Sequence, residues 1–235
     1  MMSGRGRAFP TTRWSLIFSA RGGSEKRRVV LEELLAVYWN PLYCFARLKG
    51  LDVEAAKDAV QSFVVHLLEH DVLARVDPDK GRFRSFLRVA LANHLANLRQ
   101  HEGAAKRGGG AHLVPLDVDL AERLMNDRAL SPEDAFDRAW ALRVMERALV
   151  ALRREFETGA RRGPIDVVLR FFQPDTPPTY AEAAAAAGVS ESQMKALLHR
   201  TRVRFRRLVR NEIAETVPDS DVDAEMAHLV RALGA

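Results

Sequence analysis

Apolar residues recur every three or four positions through most of this chain, and polar residues fill the intervening positions that an α-helix would turn outward. Val30, Leu31, Leu34, Leu35 and Tyr38 form the first such stripe. Asn40-Pro41 then supplies a cap and a first-turn proline, so the pattern predicts one helix from Ser24 and another from Pro41 to Gly50. Asp52 caps a third helix, running to about Asp71, with an apolar face of Val60, Phe63, Val64, Leu67 and Leu68. Positions 74–81, containing Asp77-Pro78-Asp79 and Gly81, have the chemistry of a loop. A fourth helix over 82–100 gathers Phe83, Phe86, Leu87, Ala90, Leu91, His94, Leu95 and Leu98 on one side. Arg88 and Arg99 border that stripe along one edge; Arg82, Asn93 and Gln100 border it along the other.

The periodicity weakens over 101–128, where Lys106-Arg107-Gly108-Gly109-Gly110 reads as linker. Ser131-Pro132-Glu133 restarts it as cap, first-turn proline and early acid, opening a helix through Phe136, Trp140, Val144, Leu149 and Leu152. An apolar helix over 165–172 follows, then a break over 173–178. The segment 179–210 predicts two helices around a tight turn: Gly188 suits the left-handed end of the first, and Ser190 with Gln193 makes a capping box for the second. Met194, Leu197, Leu198, Thr201, Phe205 and Leu208 line the inner face of that second helix. The expected architecture is all-α: two small helical domains joined by a flexible linker, the second containing a helix-turn-helix. The divisions are an N-terminal extension over 1–23, a domain over 24–102, a linker over 103–130, a second domain over 131–216 and a tail over 217–235.

Composition narrows the class. With 235 residues, 47% of them hydrophobic, the chain can bury real cores, and its formal charge of +5 favours polyanions. Cys44 is the single cysteine, which excludes an intrachain disulfide framework and fits a reducing interior. Without a long uncharged apolar run or the apolar core of a secretory signal, the expectation is a soluble cytoplasmic protein with no membrane insertion.

The charge excess is local. Ser192, Lys195, Ala196, His199, Arg200, Arg206, Arg207 and Arg210 project opposite the apolar stripe, and no acid interrupts 195–210. A helix-turn-helix puts the first turns of its second helix in the major groove, with basic residues nearby on phosphates. Other chemistry is weaker. His66-Leu67-Leu68-Glu69-His70 fits the inverted zinc-peptidase pattern, but no downstream acid stands out as a third ligand, and surface or core histidines are the better reading. His94 on the apolar stripe reads as a satisfied core histidine, and Phe83 and Phe86 can serve packing alone. The glycines at 108–110 lack the strand and Gly-Lys-Ser/Thr of a phosphate loop. No metal, cofactor or catalytic residue is expected, and the chain does not read as an enzyme.

Two blocks carry a family resemblance. Asp58-Ala-Val-Gln61-Ser-Phe63, with Gly81-Arg-Phe83-Arg-Ser-Phe86-Leu-Arg-Val-Ala90-Leu-Ala-Asn93, forms one; Tyr180-Ala-Glu182-Ala-Ala, Gly188-Val-Ser190-Glu191, Met194-Lys195 and Leu198-His199-Arg200-Thr-Arg202 form the other. In this order the chain resembles bacterial RNA polymerase sigma factors of the extracytoplasmic-function class of the sigma-70 family. It departs from them in the long, broken stretch 153–178, the alanine run 183–187, the N-terminal Thr11-Thr12-Arg13-Trp14 patch and the tail.

The resemblance implies that the first domain binds core polymerase at the beta-prime clamp through Asp58, Gln61 and Ser62, and opens the minus-ten element. Asp77, Arg82, Phe83, Arg84, Phe86, Arg88, Asn93 and Arg99 would hold the single strand and a flipped base. The second domain would meet the beta flap and read the minus-thirty-five duplex. Ser192, Lys195, Ala196 and His199 would lie toward base edges and Arg200, Arg202 and Arg206 toward phosphates, with Ser190 and Gln193 completing the duplex-binding set. An anti-sigma factor is a further partner of the class. The competing expectation from the residues themselves is a dimeric helix-turn-helix regulator that never joins polymerase, although no heptad seam is evident.

Overall fold

The structure, a computed structural model, describes residues 24–69, 82–101, 130–158, 164–173 and 177–234, and every regular element among them is helical. The helices are α1 (Ser24–Leu48), α2 (Val53–Glu69), α3 (Phe83–His101), α4 (Pro132–Thr158), α5 (Ile165–Leu169), α6 (Tyr180–Ala187), α7 (Glu191–Ala214) and α8 (Val222–Gly234). Short 3-10 turns occupy Arg170–Phe172 and Asp219–Asp221. The chain divides into two compact units, one built from positions up to Arg143 and from Ile213 onward, the other from Val144 to Glu212.

In the first unit the apolar stripes of α2, α3 and the start of α4 pack together. Val60, Phe63, Val64 and Leu67 of α2 are buried, as are Phe83, Leu87, Leu91 and Leu95 of α3 and Phe136 and Trp140 of α4. Tyr38 sits at the centre with its ring 5.4 Å from Phe83, edge to face, and 6.4 Å from Phe136, stacked. Cys44 is fully buried. Asp52 accepts from the Ala55 N–H at 2.8 Å to start α2, and Ser131 accepts from the Asp134 N–H at 3.1 Å to start α4. Gly50, at φ 97°, turns the chain between α1 and α2 in a conformation that L side chains rarely adopt.

One expected boundary is absent. The sequence pattern breaks at Asn40-Pro41, yet α1 runs unbroken through Pro41. An interior proline removes a backbone hydrogen bond and costs about 3 kcal/mol. Tyr38, Trp39, Leu42, Tyr43 and Phe45 are all buried around it, and each such side chain contributes about 1.5–3 kcal/mol on leaving water. Packing on both sides of the proline outweighs the local signal.

The segment anticipated as a tail also has a core role. Val217, Val222, Leu229 and Ala232 are buried, and α8 carries Glu225 to complete burial inside the first unit. The second unit is smaller. Val168, Ala183, Ala184, Met194 and Leu198 form its core, with Phe171, Phe172, Val189 and Leu197 packed around them. Phe172 meets the Phe205 ring edge to face at 5.1 Å. The helix anticipated over 165–172 is α5 continued by a 3-10 turn. Three ion pairs tie the C-terminal half of α4 to its neighbours: Arg147 with Glu212 at 2.6 Å, Arg153 with Asp166 at 3.0 Å, and Arg204 with Glu155.

Candidate nucleic-acid interface

The connection from α6 to α7 is determined by its caps. Thr179 and Glu182 form a capping box at the start of α6: the Glu182 N–H donates to the threonine hydroxyl at 3.2 Å, and the Thr179 N–H donates to the Glu182 carboxylate at 2.8 Å. That carboxylate is held below its usual range by the hydrogen bonds from Thr179. Gly188 ends α6 at φ 64°, and the Val189 N–H reaches back to the Ala184 carbonyl at 3.0 Å. Ser190 and Gln193 form a second box, with the Ser190 N–H donating to Gln193 Oε1 at 2.9 Å and the Gln193 N–H donating to the Ser190 hydroxyl at 3.2 Å. Gln193 Oε1 and the Ser190 hydroxyl oxygen are therefore engaged at the helix start, and they orient α7.

Along α7 the two faces separate cleanly. Met194, Leu198, Thr201, Phe205 and Leu208 are buried, and the Thr201 hydroxyl donates to the Leu197 carbonyl at 2.9 Å. Ser192, Lys195, Ala196, His199, Arg200, Arg202, Arg206 and Arg207 are exposed. Arg204 is tied down on this helix, its guanidinium gripping both Glu155 oxygens, and that carboxylate holds it above its ordinary pKa. No described acid pairs with Arg200, Arg202, Arg206 or Arg207. Such a row of free guanidinium groups above a packed stripe can neutralise several phosphates at once.

The first unit treats its candidates differently. Arg84 lies inside, 5% exposed, donating from Nε to Glu225 Oε2 at 2.9 Å, from Nη2 to Glu225 Oε1 at 3.3 Å and from Nη1 to Asp137 at 2.6 Å. Burial alone would lower its pKa, but hydrogen bonds and charge from Glu225 and Asp137 hold it above the ordinary value. Its guanidinium also lies 5.2 Å from the Trp140 ring centre. Arg82 reaches the same carboxylate, with Nε 2.5 Å from Glu225 Oε1, and Arg88 Nη1 lies 3.8 Å from Asp137. His228 Nε2 is 3.0 Å from Asp137 Oδ2 but off the line of a hydrogen bond. The Arg84 side chain, assigned to a single strand by the resemblance, is turned inward because the buried Glu225 and part-buried Asp137 carboxylates outcompete water for it.

Phe83 is likewise in the core, and Phe86 stacks on it at 6.2 Å while remaining half-exposed. Asn93 is exposed, and Arg99 donates to the Lys49 carbonyl at 2.6 Å, closing the end of α1. Asp77 lies outside the described residues. On α2, Asp58 is exposed and Gln61 half-buried, whereas the Ser62 hydroxyl is 2.9 Å from His94 Nε2. His94 also faces the His66 ring at 5.7 Å, and burial followed by His66 lowers its pKa. His70 of the zinc-like pattern falls outside the described residues, and among those described no trio of metal-capable side chains converges.

Glu191 and Tyr180, which entered only through the family resemblance, and Glu225 and Asp137, not singled out in the sequence, contact the candidate residues. Glu191 and Lys195 are four apart on a predicted helix, a signal that was legible; the others depend on contacts far along the chain. No described helix is long and apolar enough to cross a membrane. No family model, curated protein or solved structure matches the chain.

Proposed function

We propose that this chain is a sigma factor of the extracytoplasmic-function class, which joins core RNA polymerase in the cytoplasm, recognises promoter DNA and promotes strand opening. The observation that carries the proposal is the exposed basic face of α7, acid-free from Lys195 to Arg210, set above a buried stripe by two capping boxes and a left-handed Gly188. In this reading Ser192, Lys195, Ala196 and His199 approach base edges of the minus-thirty-five element. Arg200, Arg202, Arg206 and Arg207 hold its phosphates, while Ser190 and Gln193 orient the helix.

In the first unit, exposed Asp58 and half-buried Gln61 are the groups offered to the polymerase clamp. The separated strand lies against Phe86, Arg88, Asn93 and Arg99, whose polar and aromatic character suits stacking and phosphate contact. Phe83 and Arg84 support that helix from within. The chemistry is entirely non-covalent, requires no cofactor, and leaves bond formation to the polymerase. Size-exclusion chromatography with core polymerase tests the proposal: co-elution supports it, and elution of the chain apart from core favours the dimeric regulator.

A further inference from the structure

We propose that Glu191 and Lys195 together read a single G·C base pair in the major groove, and that Tyr180 is the residue positioning Lys195. This rests on the reading of α7 as the helix that enters duplex DNA.

Ser190 and Gln193 cap the helix start, and the exposed polar side chains next to them on the first turns of α7 are Glu191, Ser192, Lys195 and His199. Two of these are already joined. Glu191 Oε2 lies 3.6 Å from Lys195 Nζ, with the side chains 54% and 57% exposed respectively. The ammonium also lies 5.3 Å from the centre of the Tyr180 ring, within the range of a cation–π contact. Tyr180 is held in turn: Phe171 stacks on it at 5.7 Å with an interplanar angle of 27°. A flexible lysine is thus steadied between an aromatic face and a carboxylate while its side chain stays 57% exposed.

The arrangement presents a donor and an acceptor side by side. A G·C pair presents the complement, guanine O6 and N7 as acceptors and cytosine N4 as donor. O6 and N4 are bonded to each other and so stand about 2.9 Å apart, close to the spacing of the ammonium and carboxylate. Lys195 can bridge O6 and N7 while Glu191 accepts from N4. A T·A pair offers the same inner O4 acceptor and N6 donor but fits worse at the edges: a methyl group stands where guanine N7 would take the second lysine hydrogen bond, and the adenine N7 lone pair lies beside the carboxylate. Reversing the pair to C·G sets like groups against each other on both sides.

The test uses the full chain loaded on core polymerase, with sequences selected from a randomised duplex DNA pool. Wild type should enrich a G·C pair at one position, and Lys195→Met and Glu191→Gln should each weaken that preference about 10-fold there alone. Tyr180→Leu should weaken it at the same position with an unchanged salt slope, while Tyr180→Phe, which keeps the ring face, should retain it. Enriched sequences identical among wild type, Lys195→Met and Glu191→Gln would overturn the inference while leaving duplex reading intact. Absence of any enriched sequence would overturn both.

Discussion

Removing the Glu225 carboxylate should destabilise the first unit more than any single surface change. Glu225→Gln keeps the volume but withdraws the charge that receives Arg84 through two nitrogens at 2.9 and 3.3 Å and Arg82 at 2.5 Å. The glutamate side chain is 1% exposed and the Arg84 side chain 6%, so water cannot replace what is lost. Breaking a buried pair by removing one partner costs about 3–5 kcal/mol. Asp137, 2.6 Å from Arg84 Nη1, still compensates part of the charge, placing the loss near the lower end, about 3 kcal/mol. In a chain of this size that lowers the melting temperature by roughly 6–12 °C. Urea unfolding followed by tryptophan fluorescence reads it, because Trp39 and Trp140 are buried in this unit. Replacing the set together, with Arg84→Met, Asp137→Leu and Glu225→Leu, should recover most of the loss, since fewer charges are left unpaired in the interior. A loss under about 0.5 kcal/mol for Glu225→Gln, or a triple variant weaker than the single one, would refute the reasoning.

Other expectations concern binding and pH. Arg200→Ala with Arg202→Ala should weaken duplex binding across sequences and reduce the salt slope by roughly 1.8, about 0.9 per phosphate contact; an unchanged slope would remove their phosphate role. Asp58→Ala with Gln61→Ala should lower affinity for core polymerase at least about 10-fold while leaving the unfolding free energy from urea melts within about 0.5 kcal/mol of wild type, and normal affinity would contradict the assignment. Because burial and His66 depress the His94 pKa, the unfolded chain takes up that proton first as pH falls. Stability is therefore lost as pH drops from about 6.5 toward the depressed folded value. His94→Gln should flatten that loss in urea melts taken between about pH 7 and pH 5, and an equally steep loss would assign it to other groups.

What could be read from residue order was what helical spacing carries. The α7 stripe of Met194, Leu198, Thr201, Phe205 and Leu208 and the α3 stripe of Phe83, Leu87, Leu91 and Leu95 needed only period and polarity. The caps at Asp52, Ser131 and Ser190 were equally local, since their partners lie three residues away. Arg84 was not legible in this way. It occupies a polar edge of the stripe, and its partner Glu225 is 141 residues distant, beyond the reach of any periodic pattern. Pro41 misled for a related reason: the local rule for helix starts is sound, but the aromatic packing that overrides it comes from α3 and α4. Gln193 showed the reverse ambiguity, since one amide can cap a helix or read a base, and in the structure its Oε1 accepts from the Ser190 N–H as a cap.

The central claim is that this chain gives polymerase a promoter. Core polymerase transcribing fragments of the source genome in vitro, with and without the full chain, tests it most directly, with transcript starts mapped by sequencing. The account predicts a defined set of starts that appears only when the chain is added and disappears with Arg200→Ala and Arg202→Ala. An identical set of starts in both reactions would contradict it.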